Sequence, residues 1–284
     1  MMALWQDLRF AIRSLSKAPG FTALAAFTLA LGIGANTAIF SVVQGVVLEP
    51  LPYEDPDELV RVWPQRRFSK EMLANFEDAT ASGESAIFSS VSGHFRIQLA
   101  LLGIDTPEKL SGSAVVPAHF DVLAGRASLG RTLRRQDREP GAEPVVVLSH
   151  SLWQRRFAAD PDVIGQTLRF DGMGHTSRTV VGVMPEDFEP LERDAQFWIP
   201  VTFDASKPDD YRDMMGFVAL ARLAPGVTPE QAETEVRALA GRLQQDQPDY
   251  HSDEQVRSAR VTPLHDIVVG EVRPILWVLL AAVG

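Results

Sequence analysis

The six histidines, His94, His119, His150, His175, His251 and His265, are the residues best suited to acid–base or metal chemistry. A metal pair needs a set spacing, as HExxH provides on one helix face, and none of the six has it. Each is expected at the surface or at a helix cap, and no metal site is expected. The acidic pairs Glu186-Asp187 and Asp209-Asp210 stand in turn-like sequence, where solvated loops are the expected setting. Trp153, Phe197 and Trp198 are candidates for an apolar binding surface, but core packing is the stronger expectation. There is no GxSxG and no GxxxxGK[ST]. The chain therefore shows no catalytic residue, no nucleotide loop of its own and no cofactor signature. Gly32-Ile33-Gly34 opens no dinucleotide loop, since no strand precedes it and no third glycine follows at the right spacing. A membrane-anchored hydrolase ranks last, because no nucleophile and base appear together.

Composition narrows the partners. The chain has 284 residues, no cysteine and a net charge of −10. Lacking cysteine, it has no disulfide, no thiolate zinc site and no lipoprotein anchor. Residues 1–20 hold Arg9, Arg13 and Lys17 against Asp7, a balance of +2, so the remainder carries −12. That acidity argues against nucleic acid as a partner.

These features must be carried on elements, and one stretch dominates. Residues 21–48, from Phe21 to Leu48, hold no charge. A helix needs about 20 apolar residues to cross a bilayer. The run continues past the ~7–15 apolar residues of a cleaved signal peptide, so a transmembrane helix is expected. Gly32, Gly34, Ala35 and Ala38 permit close helix–helix approach. Basic residues before the span place the N-terminus in the cytoplasm and the acidic body outside. Residues 2–17 read as a basic amphipathic helix, with Leu4, Leu8, Ile12 and Leu15 on one stripe. It either lies in the membrane interface or caps a helical bundle. Pro19-Gly20 is expected to break it. Residues 272–284 turn apolar after Arg273 and give only half a span. A lone half-span leaves backbone groups unpaired in lipid, so the sequence reads as a fragment of a longer membrane protein.

Between these ends the pattern is mixed. Strands are expected over 58–63, 87–92, 96–102, 112–116, 145–148, 197–201, 216–223 and 255–261. A further two, over 163–170 and 179–184, form a hairpin turned at Asp171-Gly172. Helices are expected from Ser69 to Thr80, briefly after Pro117, from His150 to Ala158 with Ser149 as N-cap, and after Thr228-Pro229-Glu230-Gln231. In the last of these, Ala232, Val236, Leu239, Ala240 and Leu243 make the apolar face. Residues 129–144 read as a polar loop, and 204–213 as a polar link. The strand–helix–strand order of 58–92 recurs over 216–261. Two similar α/β layers enclosing a different insert are expected.

The segment from Leu8 to Trp63, with VPAHFDVLAG, LGRTL, PVVVLSHSLWQRRFAADPDVIGQTLRFDG, VVGVMPEDF, FWIPV and ARLAPGVTPEQAETEVRALAGRL, resembles the MacB-like ABC transporter permeases. It is most similar to the duplicated orphan permease branch of acidobacteria. The resemblance covers nearly the whole chain. It departs at Asp171–Ser177, a longer hairpin than usual, and at Ala124–Ala127. The resemblance implies a membrane protein with one N-terminal transmembrane helix and an α+β extracytoplasmic domain of two subdomains. The implied division is a cytoplasmic amphipathic helix (1–20), a first transmembrane helix (21–48), a periplasmic core domain (49–271) and the start of a second transmembrane helix (272–284). Within the core, 49–112 and 214–264 are porter-like α/β layers and 113–213 is an inserted mixed subdomain. The implied partners are a separate ABC ATPase, a periplasmic adaptor protein, a second permease in a dimer and the lipid bilayer of the inner membrane. A tethered extracytoplasmic binding or scaffold module without transport is the alternative.

Overall fold

The computed structural model describes residues 5, 9–10, 13, 15–43, 50–64, 67–83, 86–103, 106–172, 177–202, 204, 216–246 and 256–270. Two compact units emerge: Met1–Pro50 with Ile267–Gly284, and Leu51–Asp266. In the first, helix α1 spans Pro19–Val43. The break expected at Pro19-Gly20 falls instead at Ala18, and Pro19 opens the helix. Proline fits there because its missing N–H is at a position with no intrahelical acceptor. Thr22 Oγ1 donates to Leu15 O and Ala18 O across the break. Phe21, Leu24, Phe27, Leu29, Leu31 and Ile33 are exposed along α1. Among the described residues no helix is long and apolar enough to cross a membrane. The span expected over 21–48 is thus not established by the fold. Residues 44–49 and 272–284, and most of 2–17, lie outside the described residues.

The second unit contains β1 (Leu59–Val62), α2 (Lys70–Ala81), β2 (Phe88–Leu102), β3 (Glu108–Val115), α3 (His119–Val122), β4 (Leu129–Gly130), β5 (Val145–Leu148) and α4 (His150–Phe157). It continues with β6 (Thr167–Asp171), β7 (Ser177–Val183), β8 (Phe197–Pro200), β9 (Val218–Leu223), α5 (Pro229–Asp246) and β10 (Val261–Pro263). Among the described residues, ten strands form one sheet. Its order is β10-β1-β9-β2-β3-β8-β5-β7-β4, with β6 pairing both β2 and β7. The two layers that the sequence repeats are interleaved, since β1 lies between β10 and β9, and β9 between β1 and β2. Alternation then sorts their side chains. Val60, Val62, Ala219, Ala221 and Leu223 join α2 residues Leu73 and Phe76 and α5 residues Ala232, Val236 and Ala240 in one core. Leu59 and Leu220, on the opposite face, pack with Val122 and Leu123.

Beyond β2 the sheet closes on itself. β2 pairs β3, β3 pairs β8, β8 pairs β5, β5 pairs β7, β7 pairs β6, and β6 returns to Ala100–Leu102 of β2. A closed ring has no open edges between its members. Phe170 and Phe197 lie in its core with ring centroids 5.4 Å apart. β5 is apolar at every position because both faces are covered: Val146 and Leu148 enter this core, Val145 and Val147 the neighbouring one with Phe120 and Trp198.

Several local expectations hold. Ser69 and Ser149 accept from Met72 N and Leu152 N as N-caps. Thr228 and Gln231 form the reciprocal capping box, Thr228 N donating to Gln231 Oε1 at 2.9 Å and Gln231 N to Thr228 Oγ1 at 3.4 Å. Others change. The strands expected over 87–92 and 96–102 are one strand, β2, because the residues between them are also paired, Gly93 and His94 with β9 and Phe95 with β3. β3 begins at Glu108 and runs across the 112/113 boundary. The strand expected over 255–261 is only Val261–Pro263; Val256 and Arg257 are helical and Ala259 N bonds back to Val256 O. Val163 belongs to a short 3-10 turn, so β6 starts at Thr167.

Candidate functional site

The polar loop expected over 129–144 is more structured than its composition suggests. It contains β4 and a 3-10 turn, Arg135–Arg138, with Asp137 and Arg138 buried. Asp137 accepts from Arg131 Nη1 and Nη2 at 2.7 and 2.9 Å, and from Arg134 N at 2.7 Å. This fork fixes the loop. Arg138 then pairs with Glu77, and Arg135 with Asp78 at 3.0 Å, tying the loop to α2. Burial raises the Glu77 carboxyl, against the opposing charge and hydrogen bond of Arg138.

Between these elements lies a groove of about 490 Å³. One wall is α2, another the loop from Thr132 to Arg138, and the floor includes Ser89, Ser90 and Val91 of β2 with Pro117, Ala118 and Asp121. Its volume falls in the range of roughly 300–1,000 Å³ typical of ligand sites.

The second polar feature is buried. His94 on β2 and His119 on α3 are 6% and 0% exposed, which corrects their expected place at the surface or at a cap. Strand pairing on both sides of β2 draws His94 inward. His94 Nε2 stands 3.1 Å from Glu192 Oε1, and Ser113 Oγ donates to Glu192 Oε2 at 2.9 Å. Burial would raise Glu192, but the hydrogen bond and charge of His94, the bond from Ser113 and the nearby His119 bring it to about 2. His119 sits with its ring 5.5 Å from that of His94, and burial pushes it down to about 3, helped by His94 and opposed by Glu192. Neither ring nitrogen of His119 has a hydrogen-bond partner among the described residues.

This cluster does not make a nucleophile. Ser113 gives its proton to the carboxylate and not to a histidine, so the Ser–His relay of acyl transfer is not assembled. Among the described residues no group of three or more His, Cys, Asp or Glu could hold a metal. The remaining candidates scatter. His150 is half-buried against Trp153 on α4, and His265 lies 3.8 Å from Asp266. Glu186 and Asp187 are exposed in a turn, as expected. His175, His251 and Asp209-Asp210 lie outside the described residues. Phe197 and Trp198 are core residues, and Trp153 packs partly against the core with its Nε1 donating to Asp160 O.

The profile of the MacB-like periplasmic core domain matches residues 22–239. The chain belongs to the MacB-like periplasmic core domain family. Solved structures agree on the fold. The periplasmic region of MacB from Actinobacillus actinomycetemcomitans superposes with a TM-score of 0.53 at 16% identity, covering 81% of this chain and 98% of that one. A domain from a protein described as a permease, from Porphyromonas gingivalis, gives 0.51 at 19% identity, covering 75% and 93%. No curated protein matches the chain in sequence. The MacB-like resemblance is thereby shown at the level of family and fold. The groove and the histidine cluster both lie inside this periplasmic core domain; sequence spacing pointed to neither, because each is assembled from segments distant in the chain.

Proposed function

We propose that this chain is a permease subunit, or its N-terminal part, of a MacB-like ABC system, and that its work is mechanical. The family match from residue 22 to 239 is the observation that carries this reading. ATP binding and hydrolysis on a separate cytoplasmic ATPase would shift the membrane part, which moves the periplasmic core domain. The uncharged run 21–48 supports a membrane crossing there, and the +2 balance of residues 1–20 supports a cytoplasmic N-terminus in the inner membrane. A periplasmic adaptor and a second permease are the further partners of this reading. The division of the core into 49–112 with 214–264, and 113–213, belongs to the same proposal.

The purified chain alone is expected to show no ATP hydrolysis above buffer. Robust turnover would contradict the assignment of the motor to another subunit. Protease added to intact spheroplasts is expected to degrade the acidic domain. Protection of that domain would invert the topology.

A second reading, a tethered binding or scaffold module, is favoured by one feature: the groove of about 490 Å³ beside α2, lined by polar and apolar side chains together. A gene for an ATPase next to this one supports transport, and its absence supports the scaffold.

A further inference from the structure

We propose that the groove beside α2 is a binding site for a small zwitterion of short-peptide size, held with its carboxylate on Arg134 and its ammonium on Asp121. The proposal is independent of the transport reading, which its failure would leave standing.

The polar side chains that line the groove divide into those already engaged and those left over. Glu77 and Arg138 hold each other. Arg135 holds Asp78 at 3.0 Å. Thr80 Oγ1 donates to Phe76 O at 2.8 Å, within its own helix, and Ser89 Oγ lies 3.3 Å from the carbonyl oxygens of Arg222 and Leu223. Four groups remain. The Arg134 guanidinium has no carboxylate partner among the described residues, although its backbone N–H donates to Asp137. The Asp121 carboxylate has no cation and no donor among them either. It is exposed to water but partly desolvated by its surroundings, which raises its carboxyl. The hydroxyls of Ser90 and Thr132 also line the groove and bond to no described residue.

Charge selects the ligand. Arg134 and Asp121 come from different sides of the groove, the 132–138 loop and α3, and they form no ion pair with each other. A molecule that carries a carboxylate at one end and an ammonium at the other satisfies both. Ser90 and Thr132 are then available to the amide groups between, and Ala81, Pro117 and Ala118 add apolar contact. A plain anion would meet Asp121 as a like charge, and a plain cation would meet Arg134, so each is disfavoured. A volume of about 490 Å³ suits a ligand of drug size, which a tripeptide is. The wall that carries Arg134 is fixed in advance. Asp137 accepts three hydrogen bonds beneath it, and the Glu77–Arg138 pair is buried, so little ordering is lost on binding. Charges in a recessed site also attract more strongly than the same charges on open surface.

The test uses the full chain in detergent and trialanine, titrated by calorimetry and by ligand-observed NMR. Saturable binding is expected. Acetylating the amino end or amidating the carboxyl end of the peptide is expected to weaken it about tenfold each. These blocked peptides test the unaltered chain, whatever a substitution does to folding. Arg134→Ala is expected to weaken trialanine by a similar factor and to leave its amide unchanged, since the amide has already lost the group that Arg134 meets. Asp121→Asn is expected to weaken trialanine and to spare the acetylated form. The chain has no cysteine, so Ala81→Cys places a single thiol in the groove, and trialanine is expected to slow its labelling by a maleimide. No saturable binding up to ~10 mM overturns the proposal. So does equal affinity for free and blocked peptides, an equal loss for all three peptides in either variant, or labelling that trialanine does not slow.

Discussion

Gly130 of β4 and Gly182 of β7 are cross-strand partners, and neither has room for a side chain. A Cβ on Gly130 would stand 2.3 Å from Val181 O, and one on Gly182 2.0 Å from Arg131 O. Gly130 also has φ +72°, which L side chains rarely adopt. Two motif glycines, in LGRTL and VVGVMPEDF, are thus one contact. Gly182→Ala is expected to destabilise the chain by about 3 kcal/mol, since backbone on both sides must move. Gly241→Ala, in α5 with open space around it, is the control and is expected to be neutral or stabilising by up to about 1 kcal/mol. Urea denaturation of both variants checks the contrast.

The histidine cluster predicts an acid-labile stability. His119 is held down to about 3 when folded, against its ordinary 6.5. Between those values the unfolded chain holds a proton that the folded chain does not. Stability therefore falls as pH drops below 6.5, by about 1.4 kcal/mol per pH unit from this group. His119→Phe is expected to flatten that slope while leaving stability at pH 7.5 within about 1 kcal/mol, because its nitrogens have no partner among the described residues. Denaturation midpoints from pH 7.5 to 4.5 measure it; an unchanged slope removes His119 as the cause.

Glu192 acts in a lower window. Its carboxyl falls from an ordinary 4.5 to about 2 on folding, so its contribution is complete above 4.5 and is lost as pH falls toward 2. Glu192→Gln is expected to cost about 2 kcal/mol at neutral pH, by weakening the bonds from His94 and Ser113. The cost should shrink at pH 3. A penalty that is constant from pH 7 to 3 would show that packing, not charge, is lost.

Neighbouring residues of α2 offer a test of burial. Glu77–Arg138 is buried, at 13% and 6% side-chain exposure, while Asp78–Arg135 is exposed at 64% and 61%. Glu77→Ala is expected to cost about 3 kcal/mol, since it removes the buried carboxylate that faces the Arg138 guanidinium. Asp78→Ala should cost under about 1 kcal/mol. Similar penalties for the two would contradict the packing of the 132–138 loop against α2.

Much of what is local was legible in the sequence. Ser69, Ser149 and the Thr228–Gln231 box are set by neighbours three residues away, and they start helices where expected. β5 was legible because a strand covered on both faces is apolar throughout. The helices at 150 and 229 follow from periodicity and caps.

What tertiary structure alone decided is where distant segments meet. Gly93, His94 and Phe95 fall between the two strands expected from the sequence, yet β9 pairs Gly93 and His94 and β3 pairs His94 and Phe95, making them the centre of β2. The ring closes through three pairs between β6 and β2, some 70 residues apart, and no local signal encodes that register. The pairing of β2 with β3 and β9 buries His94, and α3 brings His119 to it, although their spacing suggests surface residues. Caps and periodicity depend on contacts within a turn or a pleat, so a linear reading captures them. Burial and strand pairing depend on which remote backbone occupies each edge, and that is fixed only when the whole sheet assembles.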